Sequence, residues 1–246
     1  MTDRASRRLA AVNLAAAVVV AALCALGVWQ LQRRAWKLDL IHRVETRVHA
    51  PPVAPPPKGR WPDIDAARDE YRRVRVEGAF LPARPALVQA VTELGGGFWV
   101  IAPLRMADGA IVLVNRGFVP SDRRAEILAA AAPPGPVAIT GLLRLSEPGG
   151  GFLRTNDPAA DRWFSRDVAA IAAARGLTDV APVFIDADRT ADAPGAPVGG
   201  LTVLHFANNH LLYALTWFAM ALLLAGTVIH LNLRRWRNGR SRAPDP

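Results

Sequence analysis

The chain has 246 residues, 51% of them apolar, and a formal net charge of +9; this is room for one soluble domain plus membrane segments, and too polar for a polytopic bundle. The charge does not mark a nucleic-acid binder. Three arginines lie in the first eight residues and five in the last 13, while positions 32–209 hold 22 basic against 19 acidic residues, so the excess flanks apolar runs, as positive-inside topology requires. A single cysteine, Cys24, excludes an intrachain disulfide and leaves no cysteine pair for redox, zinc or copper chemistry.

Leu9 to Leu31 is uncharged and carries one Asn. It exceeds the roughly 20 residues needed to cross a bilayer and is expected as an uncleaved signal anchor, since no small-x-small site precedes its polar flank. Arg33, Arg34 and Lys37 follow it directly. The segment His49–Pro62 is proline-rich and is expected to be stiff and extended, without a core of its own. Short strands are then expected at Arg72–Phe80, Ala86–Val91, Gly97–Met106, Ala110–Val114, Val137–Leu145, Pro182–Asp186 and Leu201–Phe206, with the Asp108–Gly109 pair turning a hairpin. Two Ala-rich helices are expected at Ser121–Ala131 and Ser165–Arg175. Leu211 to Leu233 is the second membrane span.

These elements describe an α+β membrane protein in which two transmembrane helices flank a β-rich extracytoplasmic domain, an antiparallel sheet or small barrel. The expected division is a cytoplasmic tail 1–8, transmembrane helix 9–31, an interfacial segment and Pro-rich linker 32–62, and the β-rich domain 63–210. A second transmembrane helix, 211–233, and a basic cytoplasmic tail, 234–246, complete it. Two spans place both termini on one side, and the Arg-rich tails assign that side as cytoplasmic.

No nucleophile elbow, zinc-protease motif or phosphate loop is present, so an enzyme is not expected. Gly95–Gly97 and Gly149–Gly151 read as turns. Of the five histidines, His42 and His49 border the proline segment and read as solvated, and His230 lies near the cytoplasmic end of the second span. His210 differs. Helical spacing aligns it with Tyr213 and Trp217 on one face descending from the outer interface. That face is either an aromatic belt with a wet imidazole or a metal ligand walled by rings that suit a flat cofactor. Trp29, Arg33, Trp36 and Lys37 recur at helical spacing after the first span, as an interfacial anchor or as counter-charges for an anionic group.

Three blocks carry a resemblance: Gly27-x-Trp29-Gln30-x-x-Arg33-x-x-Trp36-Lys37, then Val114-Asn115-Arg116-Gly117-Phe118-Val119-Pro120, then Asn208-Asn209-His210-Leu211-x-Tyr213-Ala214-Leu215-Thr216-Trp217-Phe218. Gly141-Leu142-Leu143-Arg144 and Trp163-Phe164-Ser165-Arg166-Asp167 add weaker ones. In this order, over roughly residues 15–235, the chain resembles the Surfeit locus protein 1 family; Phe118 stands where some members have Trp.

The resemblance implies an assembly factor for haem–copper terminal oxidases such as cytochrome c oxidase, binding haem a (haem o is the other candidate) and assisting its insertion into subunit I. It implies His210 as the iron ligand, with Tyr213 and Trp217 as motif neighbours; Arg33 and Arg116 match family positions without an assigned role. The depth of Arg33 makes it the expected partner of a propionate. His205 is given no role. The implied partners are oxidase subunit I, haem a synthase and membrane lipid, without nucleic acid. The implied site is the bacterial inner membrane, with the mitochondrial inner membrane as the alternative. The competing reading is a scaffold that stabilises subunit I or haem a synthase without touching haem.

Overall fold

A computed structural model describes residues 2–129, 133–151, 153–189, 196–202 and 208–240. The chain divides into two compact units, with boundaries after His42 and between residues 204 and 205. One is built from the terminal helices and the other from the residues between them.

The helical unit contains most of α1 (Thr2–His49) and all of α4 (His210–Arg240). Both are long and apolar enough to span a bilayer. Leu212, Leu222 and Leu223 of α4 are 64–73% exposed, an arrangement suited to lipid rather than water. The less exposed positions of α1 run Asn13, Ala16, Val20, Leu23, Gly27, Gln30. Steps of three and four alternate, so the inner seam repeats every seven residues, the spacing of left-handed helix pairs. On α4 the buried positions are Ala214 and Ala221, again seven apart, and small residues there allow close backbone approach. The helix α1 does not stop at the end of the apolar run, as the expected interfacial segment did. It continues through Arg33–Lys37 to His49 and ends where Pro51–Pro52 forbids helix.

The other unit is organised by its strands: β1 (Arg73–Phe80), β2 (Ala86–Thr92), β3 (Gly95–Met106), β4 (Ile111–Pro120), β5 (Pro136–Leu145) and β8 (Val180–Ala187). They form one sheet in the order β1-β5-β8-β4-β3-β2. A further antiparallel pairing, Gly78–Phe80 with Leu104–Met106, joins β1 to β3 and closes five of the strands into a barrel. All main pairings are antiparallel except β4 with β8, which is parallel; of the two expected forms, antiparallel sheet or small barrel, the chain takes the barrel. Side-chain alternation sorts the core into two faces. Val74, Val76, Leu104, Val112, Val114, Leu143, Val183 and Ile185 fill the barrel. Leu113, Ile101, Val88 and Phe184 point the other way, beneath Trp163 and helix α3 (Val168–Ala174). The helix α3 starts later than expected because Asp167 caps it, accepting from Ala170 N at 3.0 Å, while buried Ser165 bonds Asn156. The helix α2 (Arg124–Ala129), preceded by a 3₁₀ turn, covers Leu87, Val100 and Val119 with Ile127. A two-stranded ladder, β6 (Gly150–Gly151) with β7 (Arg154–Thr155), was not expected; its strands are too short for periodicity to show.

Two further expectations change. The proline segment is not free: Val53 pairs with β1 through Val53 N to Arg73 O (3.1 Å) and Arg75 N to Val53 O (2.9 Å), and Trp61 packs against the barrel core. Leu201 and Thr202 are not in a strand, and the rest of the expected strand Leu201–Phe206 lies outside the described residues.

Candidate functional site

The motif residues form one constellation in each unit. In the helical unit, His210 is the first residue of α4, and its Nδ1 lies 2.8 Å from Oε1 of Gln30 on α1. An amide oxygen only accepts, so Nδ1 is the donor in this contact; Nε2 has no hydrogen-bond partner among the described residues. The ring is half-buried. One turn away, Gly27 is buried against Phe218. A Cβ at Gly27 would lie 2.6 Å from that ring, so the absence of a side chain is what lets the helices approach here. Tyr213 is 54% exposed and Trp217 half-buried, which leaves aromatic surface beside the imidazole on the same helix. Arg33 does not reach His210 within the unit; its guanidinium lies 4.0 Å from the Trp36 ring centroid, the geometry of an interfacial anchor. At the other end of the pair, Asn13 and Asn232 exchange hydrogen bonds of 3.1 and 3.5 Å.

In the β-rich unit, three sequence blocks meet on Asp186, which is 3% exposed. Asn115 of the Val-Asn-Arg-Gly-Phe block donates to Oδ1 at 2.8 Å. Arg144 of the Gly-Leu-Leu-Arg block donates to Oδ2 at 3.0 Å. Arg166 of the Trp-Phe-Ser-Arg block reaches both oxygens at 3.2 and 3.3 Å. Thr202 adds a bond of 3.1 Å. Glu147 accepts from Arg166 at 3.0 and 2.5 Å. Burial alone would push the Glu147 carboxyl up; the ion pairs with Arg166 and Arg144 outweigh it and hold it below the usual range. Burial likewise opposes the charge of Arg166, yet Glu147 and Asp186 hold that guanidinium above its ordinary value. The arginines stack over Tyr71 (Arg144, 4.7 Å) and Phe184 (Arg166, 4.8 Å). A cavity of about 190 Å³ opens beside this hub, bounded by Trp99, Gly117 and the Gly199–Thr202 segment.

The block around Asn115 also explains why β4 runs past Val114. Trp99 faces Phe118, while Ile101 faces Asn115, so β4 carries one extra residue, a β-bulge at Arg116–Gly117. Gly117 has φ +129°, and a Cβ there would lie 2.4 Å from the backbone of Val198. The bulge turns Arg116 out over the Phe80 ring (5.3 Å); burial pushes its pKa down, and it pairs with no carboxylate among the described residues. The partners of Asp186 were not legible, because their positions span residues 115 to 202. Gln30 belongs to the first of the three family blocks, but no periodicity within one helix shows what faces it. Among the described residues no cluster of three or more His, Cys, Asp or Glu side chains could hold a bare metal ion.

Residues 17–222 match the SURF1 family. The chain is 36% identical to human Surfeit locus protein 1 over 216 residues, covering 80% of this chain and 69% of the human protein. It is 35% identical to the mouse protein over 212 residues, 79% of this chain and 67% of that one. A SURF1-like protein of Monosiga brevicollis is 34% identical over 235 residues, 90% of this chain and 87% of its own. Matches of this extent, over most of each relative rather than over one short motif, show that the chain belongs to the SURF1 family.

Proposed function

We propose that this protein is a membrane-embedded, non-enzymatic assembly factor for haem–copper terminal oxidases that holds haem a through His210 and passes it to subunit I. The observation that carries the reading is the state of the His210 ring: Nδ1 is engaged at 2.8 Å and Nε2 is open. An imidazole with one nitrogen tied and the other without a partner could offer that nitrogen to haem iron. Bound haem would supply a redox-active iron, held by His210. Tyr213 and Trp217, on the same helix, offer ring surface to a flat macrocycle. Arg33, exposed beside Trp36, is the partner for a propionate; Arg116, in the β-rich unit and without a carboxylate among the described residues, is given no place in that site. One protein ligand also suits a carrier, because release then breaks a single bond to the chain. Both tails are cytoplasmic in this reading and the β-rich unit lies outside, in a bacterial or mitochondrial inner membrane. Haem a synthase is the source of the cargo.

The test is to purify the full chain in detergent from cells that make haem a and record its visible spectrum. The protein is expected to carry haem, and His210→Ala to lose it while inserting in the membrane at the parent's level. A parent protein without haem would overturn the reading and leave a docking platform for subunit I.

A further inference from the structure

We infer that Gln30 is the positioning residue of the haem site: it fixes which nitrogen of His210 is free and where that nitrogen points. The inference rests on the function proposed above, but its geometry stands on the helix pair alone. A neutral histidine in water exchanges its proton between Nδ1 and Nε2, and only the tautomer protonated on Nδ1 offers Nε2 to a metal. The Gln30 side chain sits on the α1 seam, is half-buried, and presents Oε1 to Nδ1 at 2.8 Å. With its oxygen facing the ring, the amide accepts from Nδ1–H and so favours that form over the other. It also fixes the ring, because a hydrogen bond to Nδ1 restricts rotation about the Cβ–Cγ bond. The contact exists because the helices are close one turn away, where Gly27 meets the Phe218 ring. Ligating histidines in metalloproteins generally donate their second N–H to an acceptor that sets tautomer, orientation and basicity. Here the acceptor comes from the other membrane helix, so the site is assembled only when α1 and α4 pair.

The tautomer is tested without haem. In ¹⁵N-histidine-labelled full-length protein in detergent, with His210 assigned from a His210→Gln control, Nε2 is expected as the unprotonated, pyridine-type nitrogen and Nδ1 as the protonated one. Gln30→Leu is expected to return His210 to a mixture of tautomers. A parent protein already in the Nε2–H form would overturn the inference, whatever its colour.

The haem-loaded protein gives the second measurement. Gln30→Leu is expected to retain about tenfold less haem, with a lower iron–imidazole stretching frequency. Gln30→Glu, whose carboxylate accepts the same bond more strongly, is expected to restore retention, raise that frequency above the parent's and lower the haem reduction potential. Equal retention and an unchanged stretch in Gln30→Leu would remove Gln30 from the site while leaving His210 as ligand. Equal loss in the Leu and Glu variants, with the same stretch in both, would reduce its role to packing and also overturn the inference.

Discussion

The two units use their motif residues in opposite ways. In the β-rich unit the three converging blocks meet on one buried carboxylate: Asp186 accepts from Asn115, Arg144, Arg166 and Thr202, and Glu147 takes the rest of Arg166. In the helical unit the block is left incomplete, with Nε2 of His210 open and Tyr213 more than half exposed. A buried network centred on one carboxylate holds a shape, whereas a ring nitrogen left without a partner on a paired helix is available to a ligand. Residues that carry the same family resemblance therefore divide into those that build the domain and those free to act.

The largest effect that would break this contrast is at Asp186. Asp186→Ala takes from Arg144 and Arg166, 12% and 16% exposed, the buried carboxylate they share and leaves them only peripheral acids such as Glu147. Removing one partner of a buried ion pair costs about 3–5 kcal/mol, a large part of the stability of a domain of this size. The full-length variant is expected to be digested rapidly between β4 and β8 by protease under conditions the parent resists. An Asp186→Ala protein as resistant as the parent, yet unable to support oxidase assembly, would move the functional site into the barrel.

Much of the barrel was legible because its strands alternate: Val74 and Val76 point inward between Arg73, Arg75 and Glu77, and six of the seven expected strands fall within a few residues of observed ones. What periodicity cannot carry is pairing. The β1–β3 closure and the parallel β4–β8 contact join segments with nothing in their local pattern to name the partner. The expected strand Ala110–Val114 stops short of the end of β4; past Val114 the Asn115 side chain is absorbed by Asp186 and Gly117 by a bulge against Val198. For the site, helical spacing found His210, Tyr213 and Trp217, because all lie on one helix, but missed Gln30, which is 180 residues away in sequence.

A middle-sized effect sharpens the helical side. Gly27→Leu places a side chain where Phe218 now lies, and overpacking of this kind costs about 1–3 kcal/mol. The helices are expected to separate locally, lengthening the Gln30–His210 contact and lowering haem retention several-fold without unfolding the β-rich unit. Phe218→Ala removes the obstacle, so the double variant is expected to recover much of the loss. Strict additivity of the two single effects would mean that the residues do not share a contact.

The smallest effect concerns the far end of the same pair. From Asn13 to Gln30 is 17 residues and from Asn232 back to His210 is 22, roughly 26 and 33 Å of helix, close to the thickness of the hydrocarbon layer at about 30 Å. The two interhelical polar contacts thus bracket the apolar stretch, and the Asn13–Asn232 exchange fixes register at the end away from the imidazole. Asn13→Leu leaves the Asn232 amide facing an apolar side chain, and interhelical hydrogen bonds in membranes are worth about 0.6 kcal/mol on average. Haem retention is expected to fall by no more than about threefold, and the loss to be smaller again in the Asn13→Leu, Asn232→Leu double variant, where neither amide lacks a partner. A single substitution at Asn13 that abolished retention would instead make register at this end decisive for the ligand at the other, and the contrast between a finished domain and an open helix pair would have to extend along the whole length of α1.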